Sequence, residues 1–367
     1  MITRSKVQSA NNDHIRSGAQ EETNGSDKFF LFKLNDDSLN MVLRHMGILE
    51  SRVACAIIFC AAIQRFPSPY RRKHISKKAK KLVKAIGLKA TTFTMKLASA
   101  TSVTILFDLS RLEFCYMSDQ RSVLNPGYFV PIEEFNLHLK SEDGKNRNFN
   151  DCVLHLMDVL DLSKIDMLRI GYEIFGPNPY DVCRIIEGFK VDCLIVEDIC
   201  VPDIAAYFLT RLSPSVKDLR SWKNFSNNSE MFHRVIVGNF DSTTFTGSLR
   251  MSVDDILYMN CRSATVSAGA NRDVLINRFL KLWIQGGCPR TEFMVFFGNV
   301  APSGRVMEGV KHKVADVKRQ RVFRHTVKLA CSPMEEVVIG GYDIRRRDGR
   351  MATVRVLCSY VEMFVWN

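Results

Sequence analysis

"VDCLIVEDICVPDIAAYFLTRLSPSVKDLRSW", residues 191–222, decides how the chain is read. A short apolar run starting at Val191 is followed by "PDIAAYFLTRL" (202–212), whose apolar spacing is helical, and then by a second strand-like run from Val216. The unit recurs. Helical windows "CVLHLMDVL", "PYDVCRIIEGF" and "DDILYM" alternate with strand-like runs starting at Ile165, Thr246, Ala264 and Thr291. Successive strand starts lie 26, 25, 30, 18 and 27 residues apart, the period of a leucine-rich-repeat-like solenoid. The spacing is irregular and the repeat's Asn/Cys ladder is absent, so the match is to architecture alone. A doubly wound sheet also alternates strand and helix, but its phosphate-binding glycines are missing.

The array ends in "NRDVLINRFLKLWIQGG" (271–287), the strongest helix of the chain. Leu275, Phe279 and Trp283 form one apolar stripe and Ile276, Leu280 and Ile284 the adjacent one, with Gly286 and Gly287 as the C-terminal stop. A face that wide belongs in a core, which makes Trp283 packing. "GGYDIRRRDGRMATVRV" (340–356) then reads as a hairpin with two competing registers. A two-residue Asp348-Gly349 turn puts Ile344 opposite Thr353. A three-residue Arg347-Asp348-Gly349 loop puts Ile344 opposite Ala352 and Tyr342 opposite Val354, with Gly349 left-handed. The second register keeps the apolar side chains on one face and is the one expected.

Upstream, residues 1–28 are polar and read as a disordered tail. "FFLFKLNDDSLNMVLRHM" (29–46) follows, with Asp36 or Asp37 as a helix cap and Leu39, Val42, Leu43 and Met46 on one helical face. A second helix, "SKKAKKLVKAIGL", is capped by Ser76 and closed by Gly87. Residues 90–117 are rich in β-branched and aromatic side chains, predicting short strands, and a soft boundary falls near 140.

Of 367 residues, 46% are hydrophobic and 25% charged, a folded-protein composition. The formal net charge of +12 is uneven: Ser51 to Phe107 contains twelve Lys and Arg and no acid. That block lacks interleaved aromatics, so a solvated or partner-facing surface is preferred to nucleic-acid binding. Eleven cysteines without a C-x-x-C pair suit a reducing compartment, cytoplasmic or nuclear. The longest apolar run, Val53 to Ile63, is too short to span a bilayer. No nucleotide loop, serine elbow or paired-histidine zinc motif occurs, so neither catalytic residues nor a metal or cofactor is expected.

Several of these stretches resemble a known family. "FFLFKLNDDSLNMVLRHM" and "SKKAKKLVKAIGL" resemble the first and last helices of an F-box. "LINRFLKLWIQGG", "IGGYDIRRRDGRMATVRV" and the terminal "FVW" resemble the F-box-associated domain, type 2. Together they resemble the large nematode F-box family carrying that domain. The resemblance implies an α+β chain: a short N-terminal helical F-box, then an irregular αβ repeat ending in a β-hairpin. The expected divisions are a tail (1–28), F-box-like helices (29–90) with a basic and apolar insertion near 53–75, short strands and linker (91–140), and a substrate-binding domain (141–367).

The implied function is substrate recognition in an SCF-type ubiquitin ligase, without catalysis by this chain. Adaptor contacts carry over to Phe30, Leu31, Leu34, Leu39, Val42, Leu43 and Met46. These would bind a Skp-type adaptor and, through it, a cullin-RING ligase. Two family prolines are replaced, giving Phe29-Phe30 and Leu34-Asn35. The alternative is an interaction module whose F-box no longer binds the adaptor. Arg345, Arg346 and Arg347 are the candidate readers of an acidic or phosphorylated target protein of unknown identity.

Overall fold

The computed structural model describes residues 89–98, 101–107, 110–116, 134–139, 149–171, 178–222, 229–246, 251–259, 261–267, 272–298, 305–326 and 335–366. The expected tail, both F-box-like helices and the insertion lie outside them.

The chain enters as strands β1 (Ala90–Ala98), β2 (Thr101–Phe107), β3 (Ser110–Tyr116) and β4 (Glu134–Leu139). Helices and strands then alternate: α1 (Phe149–Val159), β5 (Lys164–Gly171), α2 (Pro179–Ile186), β6 (Lys190–Val196), α3 (Pro202–Leu212) and β7 (Asp218–Ser221). The alternation continues through α4 (Ser229–Ile236), β8 (Ser242–Phe245), α5 (Val253–Tyr258), β9 (Ser263–Ser267), α6 (Arg272–Gln285) and β10 (Phe293–Phe297). Six strands close the chain: β11 (His312–Val314), β12 (Gln320–Arg324), β13 (Glu335–Ile339), β14 (Tyr342–Arg345), β15 (Met351–Val356) and β16 (Tyr360–Trp366).

All but β12 and β13 join one 14-stranded sheet, ordered β11-β14-β15-β16-β10-β9-β8-β7-β6-β5-β1-β2-β3-β4. Pairing is parallel from β1 through β5 to β10 and antiparallel on both flanks, apart from the parallel β3–β4 pair at one edge. This corrects the α+β reading of an F-box followed by a leucine-rich-repeat-like array. The strands of the expected repeat are the middle of a single mixed sheet. Its β1 comes from the stretch assigned to strands and linker, and its other side continues through the C-terminal strands. The physical reason is the edge: bare β5 and β10 would each expose a row of unpaired backbone groups, and β1 and β16 pair with them.

Each strand from β5 to β10 lies beside its predecessor, and right-handed crossovers then place α2 to α6 on one face, where consecutive helices touch. Between them and the sheet lies the main core, including Leu168, Leu194, Leu219, Ala264 and Met294 from adjoining strands and Phe208, Phe279 and Trp283 from the helices. The helix α6 buries Ile276, Phe279, Leu280 and Trp283, as its stripes predict. One strand moves: the run expected from Thr246 is β8, Ser242–Phe245, which evens out the irregular interval. The helix α4 before it, which buries Phe232, Val235 and Ile236 at helical spacing, was not anticipated.

The opposite face carries a smaller cluster. There Phe293, Val295 and Phe364 of the sheet pack beneath Phe323 and Val338 of the antiparallel β12–β13 ribbon.

Candidate target-binding surface

The hairpin β14–β15 adopts the three-residue register, with Tyr342 opposite Val354, Asp343 opposite Thr353, Ile344 opposite Ala352 and Arg345 opposite Met351. Gly349 sits at φ +93°, the left-handed bulge position, and its N–H donates to the Arg346 carbonyl at 3.0 Å.

That loop seats against the C-terminus of α6, where the last carbonyls of a helix lack intrahelical donors. The Gly286 and Gly287 N–H groups reach back to Trp283 and Leu282, at 2.9 and 3.0 Å. The Arg347 N–H supplies the Ile284 carbonyl at 3.0 Å. The Arg346 Nη2 donates to the Gly286 carbonyl at 2.8 Å, and its guanidinium lies 5.6 Å from the centre of the Trp283 ring. Arg346 is only 6% exposed, so its positive charge is held at the negative end of a helix and faces Asp348 at 3.4 Å. The three candidate arginines therefore separate: Arg346 is a structural cap inside the fold, whereas Arg345 and Arg347 are exposed around it. The adaptor candidates Phe30, Leu31, Leu34, Leu39, Val42, Leu43 and Met46 lie outside the described residues.

A second polar site stands on the helix-free face. Register aligns Arg169, Ile195, Arg220, Thr244, Thr265 and Val295 into one row across β5 to β10. Arg169 is ion-paired with Glu197, and its guanidinium lies 5.1 Å from the centre of the Trp222 ring. Glu197 leans over Gly171, occupying the space a side chain there would need. Arg220 donates to Asp218 through Nε at 2.9 Å. The sequence carried a signal for this row in the Leu-Arg pairs at 168–169 and 219–220, each at the same point of its strand. The expectation missed it because only tertiary register makes those positions neighbours.

Cys183, Cys193, Cys200, Cys261 and Cys288 are buried cysteines outside any disulfide, and Cys358 is exposed. Burial pushes the thiols of Cys183, Cys193 and Cys288 up to about 12 and that of Cys261 to about 11. These four stay protonated at neutral pH and are poor nucleophiles. Among the described residues no group of three His, Cys, Asp or Glu side chains is placed to hold a metal ion. No helix among them is long and apolar enough to cross a membrane.

No curated protein and no solved structure matches the chain. The F-box associated family does match, over residues 231–296, which run from α4 to β10 and include the helix that the arginine loop caps. The matched segment supplies the Trp283 and Gly286 on which Arg346 rests, and the chain contains an F-box-associated domain.

Proposed function

We propose that this protein is the substrate-recognition subunit of an SCF-type ubiquitin ligase. The observation that carries the reading is the F-box-associated match at 231–296, taken with the F-box-like sequence at 29–46 and 76–88. In this reading, within the nematode family carrying the type 2 domain, a Skp-type adaptor is bound by Phe30, Leu31, Leu34, Leu39, Val42, Leu43 and Met46. The apolar face that the sequence predicts there is too large for so short a unit to bury and needs a partner. The C-terminal domain holds the target, with exposed Arg345 and Arg347 meeting its anionic groups, and ubiquitin transfer is performed by the cullin-RING partners. The protein acts in the cytoplasm or nucleus, where those partners operate.

Co-purification with the Skp-type adaptor tests the assignment. The expected result is a complex at micromolar concentrations that Leu43→Ala weakens by about 2 kcal/mol or more. A folded chain that forms no such complex overturns it. The outcome would instead favour an interaction module with a decayed F-box, a reading motivated by the missing prolines at Phe30 and Asn35 and by the insertion before Ser76. Affinity purification with and without proteasome inhibition then separates ligase target from plain partner, since only a target accumulates when the proteasome is blocked.

A further inference from the structure

The parallel strands β5 to β10 all begin at one edge of the sheet, and a line of charge runs along it. Lys164-Ile165-Asp166 and Lys190-Val191-Asp192 repeat one pattern, and register sets Lys164 directly opposite Lys190. Lys217 and Arg262 stand immediately before β7 and β9, and Arg290 lies in the turn before β10. Contacts join these five cations into one row. Asp192 gathers Lys164 at 2.7 Å, Lys190 at 3.8 Å and Lys217 at 4.0 Å. The Lys217 carbonyl accepts the Asp241 N–H at 2.8 Å, and the Asp241 carboxylate faces Arg262 at 3.9 Å and Arg290 at 3.7 Å. Neighbouring strands lie about 4.8 Å apart, so the row runs about 24 Å from β5 to β10.

The row is cationic on its outer side. Its five Lys and Arg side chains are 34 to 53% exposed, and the acids between them, Asp166, Asp192 and Asp241, only 23 to 37%. Burial works to raise the Asp192 carboxyl, and the three lysines hold it below the usual range instead. Five positive charges thus stand over three negative ones. A helix also ends before each of these strands, and a cation beside a helix C-terminus is ordinary. That accounts for Arg346, whose Nη2 donates to the Gly286 carbonyl, but the lysines lie against the Asp192 carboxylate. At the β10 end the row meets the arginine loop: Arg350 Nη1 donates at 2.9 Å to the carbonyl of Pro289, the residue before Arg290.

We infer that this edge holds an extended acidic segment of a partner protein, laid across the strand starts with its carboxylates on the Lys and Arg row. The row's length is the reach of roughly seven extended residues. Charge complementarity selects the occupant. A peptide can space its carboxylates to meet the cations and pass over Asp166, Asp192 and Asp241. A nucleic-acid duplex cannot, because it brings one charge per ~1.7 Å of its axis and the three interleaved acids repel so continuous a charge. The row itself contains no aromatic side chain on which an unpaired base would stack. A second copy of this chain would bring the same surplus of cations to the same edge.

This deepens the recruitment reading by naming the chemistry of the target segment, and rests on that reading for its biological use. The two fail separately, because peptide binding needs no adaptor and adaptor co-purification needs no peptide. The probe is a fluorescein-labelled synthetic peptide alternating Glu and Ser, titrated against the full chain by anisotropy. The expected result is saturable binding that rising salt weakens, with an alternating Lys and Ser peptide failing to compete. Lys190→Glu with Lys217→Glu should weaken binding about tenfold, from two reversed charges, while arginine at both positions retains it. Arg262→Glu, in the other half of the row, provides the test if that chain loses its cooperative melting. Asp192→Asn should tighten binding about threefold by releasing the lysines, an outcome that a purely structural ladder would not give. Lys313→Glu with Lys318→Glu, two exposed cations outside the row, should leave binding unchanged. Absence of saturable binding, indifference to the row's variants, or an equal loss from the Lys313 and Lys318 reversal would overturn the inference. So would tighter binding of an oligonucleotide than of the peptide, or a dimer that the Lys190 and Lys217 reversal dissociates.

Discussion

Exchanging Arg346 for alanine strips the Gly286 carbonyl of its donor and uncovers one side of the Trp283 ring. A half-buried carbonyl left without its partner, together with the lost packing on Trp283, costs about 1–3 kcal/mol, and denaturant unfolding of Arg346→Ala should show a loss of that size. Alanine at Arg345 or Arg347 should change stability by about 0.5 kcal/mol or less, because both side chains are exposed. Three equal losses would contradict the separation of roles. Charge reversal for probing target capture therefore belongs at Arg345 and Arg347, since Arg346→Glu would damage the fold that presents them. Gly341 makes a second single-residue prediction. At φ +96° its backbone is left-handed, and an added Cβ would lie 2.7 Å from the Val354 carbonyl oxygen. Gly341→Ala should cost at least the ~1–2 kcal/mol of that conformation, read as a lowered melting temperature. In the sequence the three consecutive arginines are equivalent. The choice of the buried one was made by a helix end about 60 positions away.

Among the elements, the β12–β13 ribbon is held by a polar network as well as a core. Arg355 of β15 donates to Glu362 of β16 through Nε at 2.8 Å and also reaches Glu336 of β13. Glu362 is buried, and burial pushes its carboxyl above the usual range even with Arg355 beside it. Arg355→Met should destabilise the protein by roughly 3–5 kcal/mol, because it abandons a buried carboxylate. Glu362→Gln in the same chain should recover part of that loss, and a double-mutant cycle measures how much. The ribbon also carries His325, packed edge-on to Phe293 and Phe323, and burial holds its pKa below 6.5 although Glu336 opposes the shift. As pH falls below about 6.5 the unfolded chain takes up this proton before the folded one does, so stability declines with acidification. His325→Phe should flatten that part of the melting-temperature profile; an unchanged slope would assign it to other groups. The hairpin's register was legible because Tyr342, Ile344, Ala352 and Val354 share one face only in one pairing. The strand β8 was not, because "STTF" has little apolar alternation and its buried Thr243 is defined by neighbours Leu219 and Ala264.

On the scale of the whole molecule, the last strand lies in the interior of the sheet. Hydrogen-bonded between β10 and β15, β16 buries Val361, Glu362, Met363, Phe364 and Val365. A chain truncated before Tyr360 should lose cooperative unfolding altogether, because it leaves β10 without its antiparallel partner and opens both faces of the core. A truncated chain that still melts in one sharp transition would show the flanking strands to be dispensable. The sheet also sets where the candidate surfaces lie. Its helix-free face carries Arg169 stacked on Trp222, the starts of its parallel strands carry the row of cations, and the arginine loop sits where α6 ends.

By itself the sequence determined the local periods. Alternating apolar runs specified strands, the double stripe of Leu275 to Ile284 specified α6, and the apolar set around Ile344 specified the hairpin register, because each depends on residues within a few positions of one another. Tertiary structure alone decided that β1 pairs with β5 and β16 with β10, which turned an expected solenoid into one mixed sheet. It also decided which arginine caps α6 and which cations line up along the strand starts. Backbone edges carry no side-chain signature of their partner, and a guanidinium's environment is set by groups the chain brings back from far away.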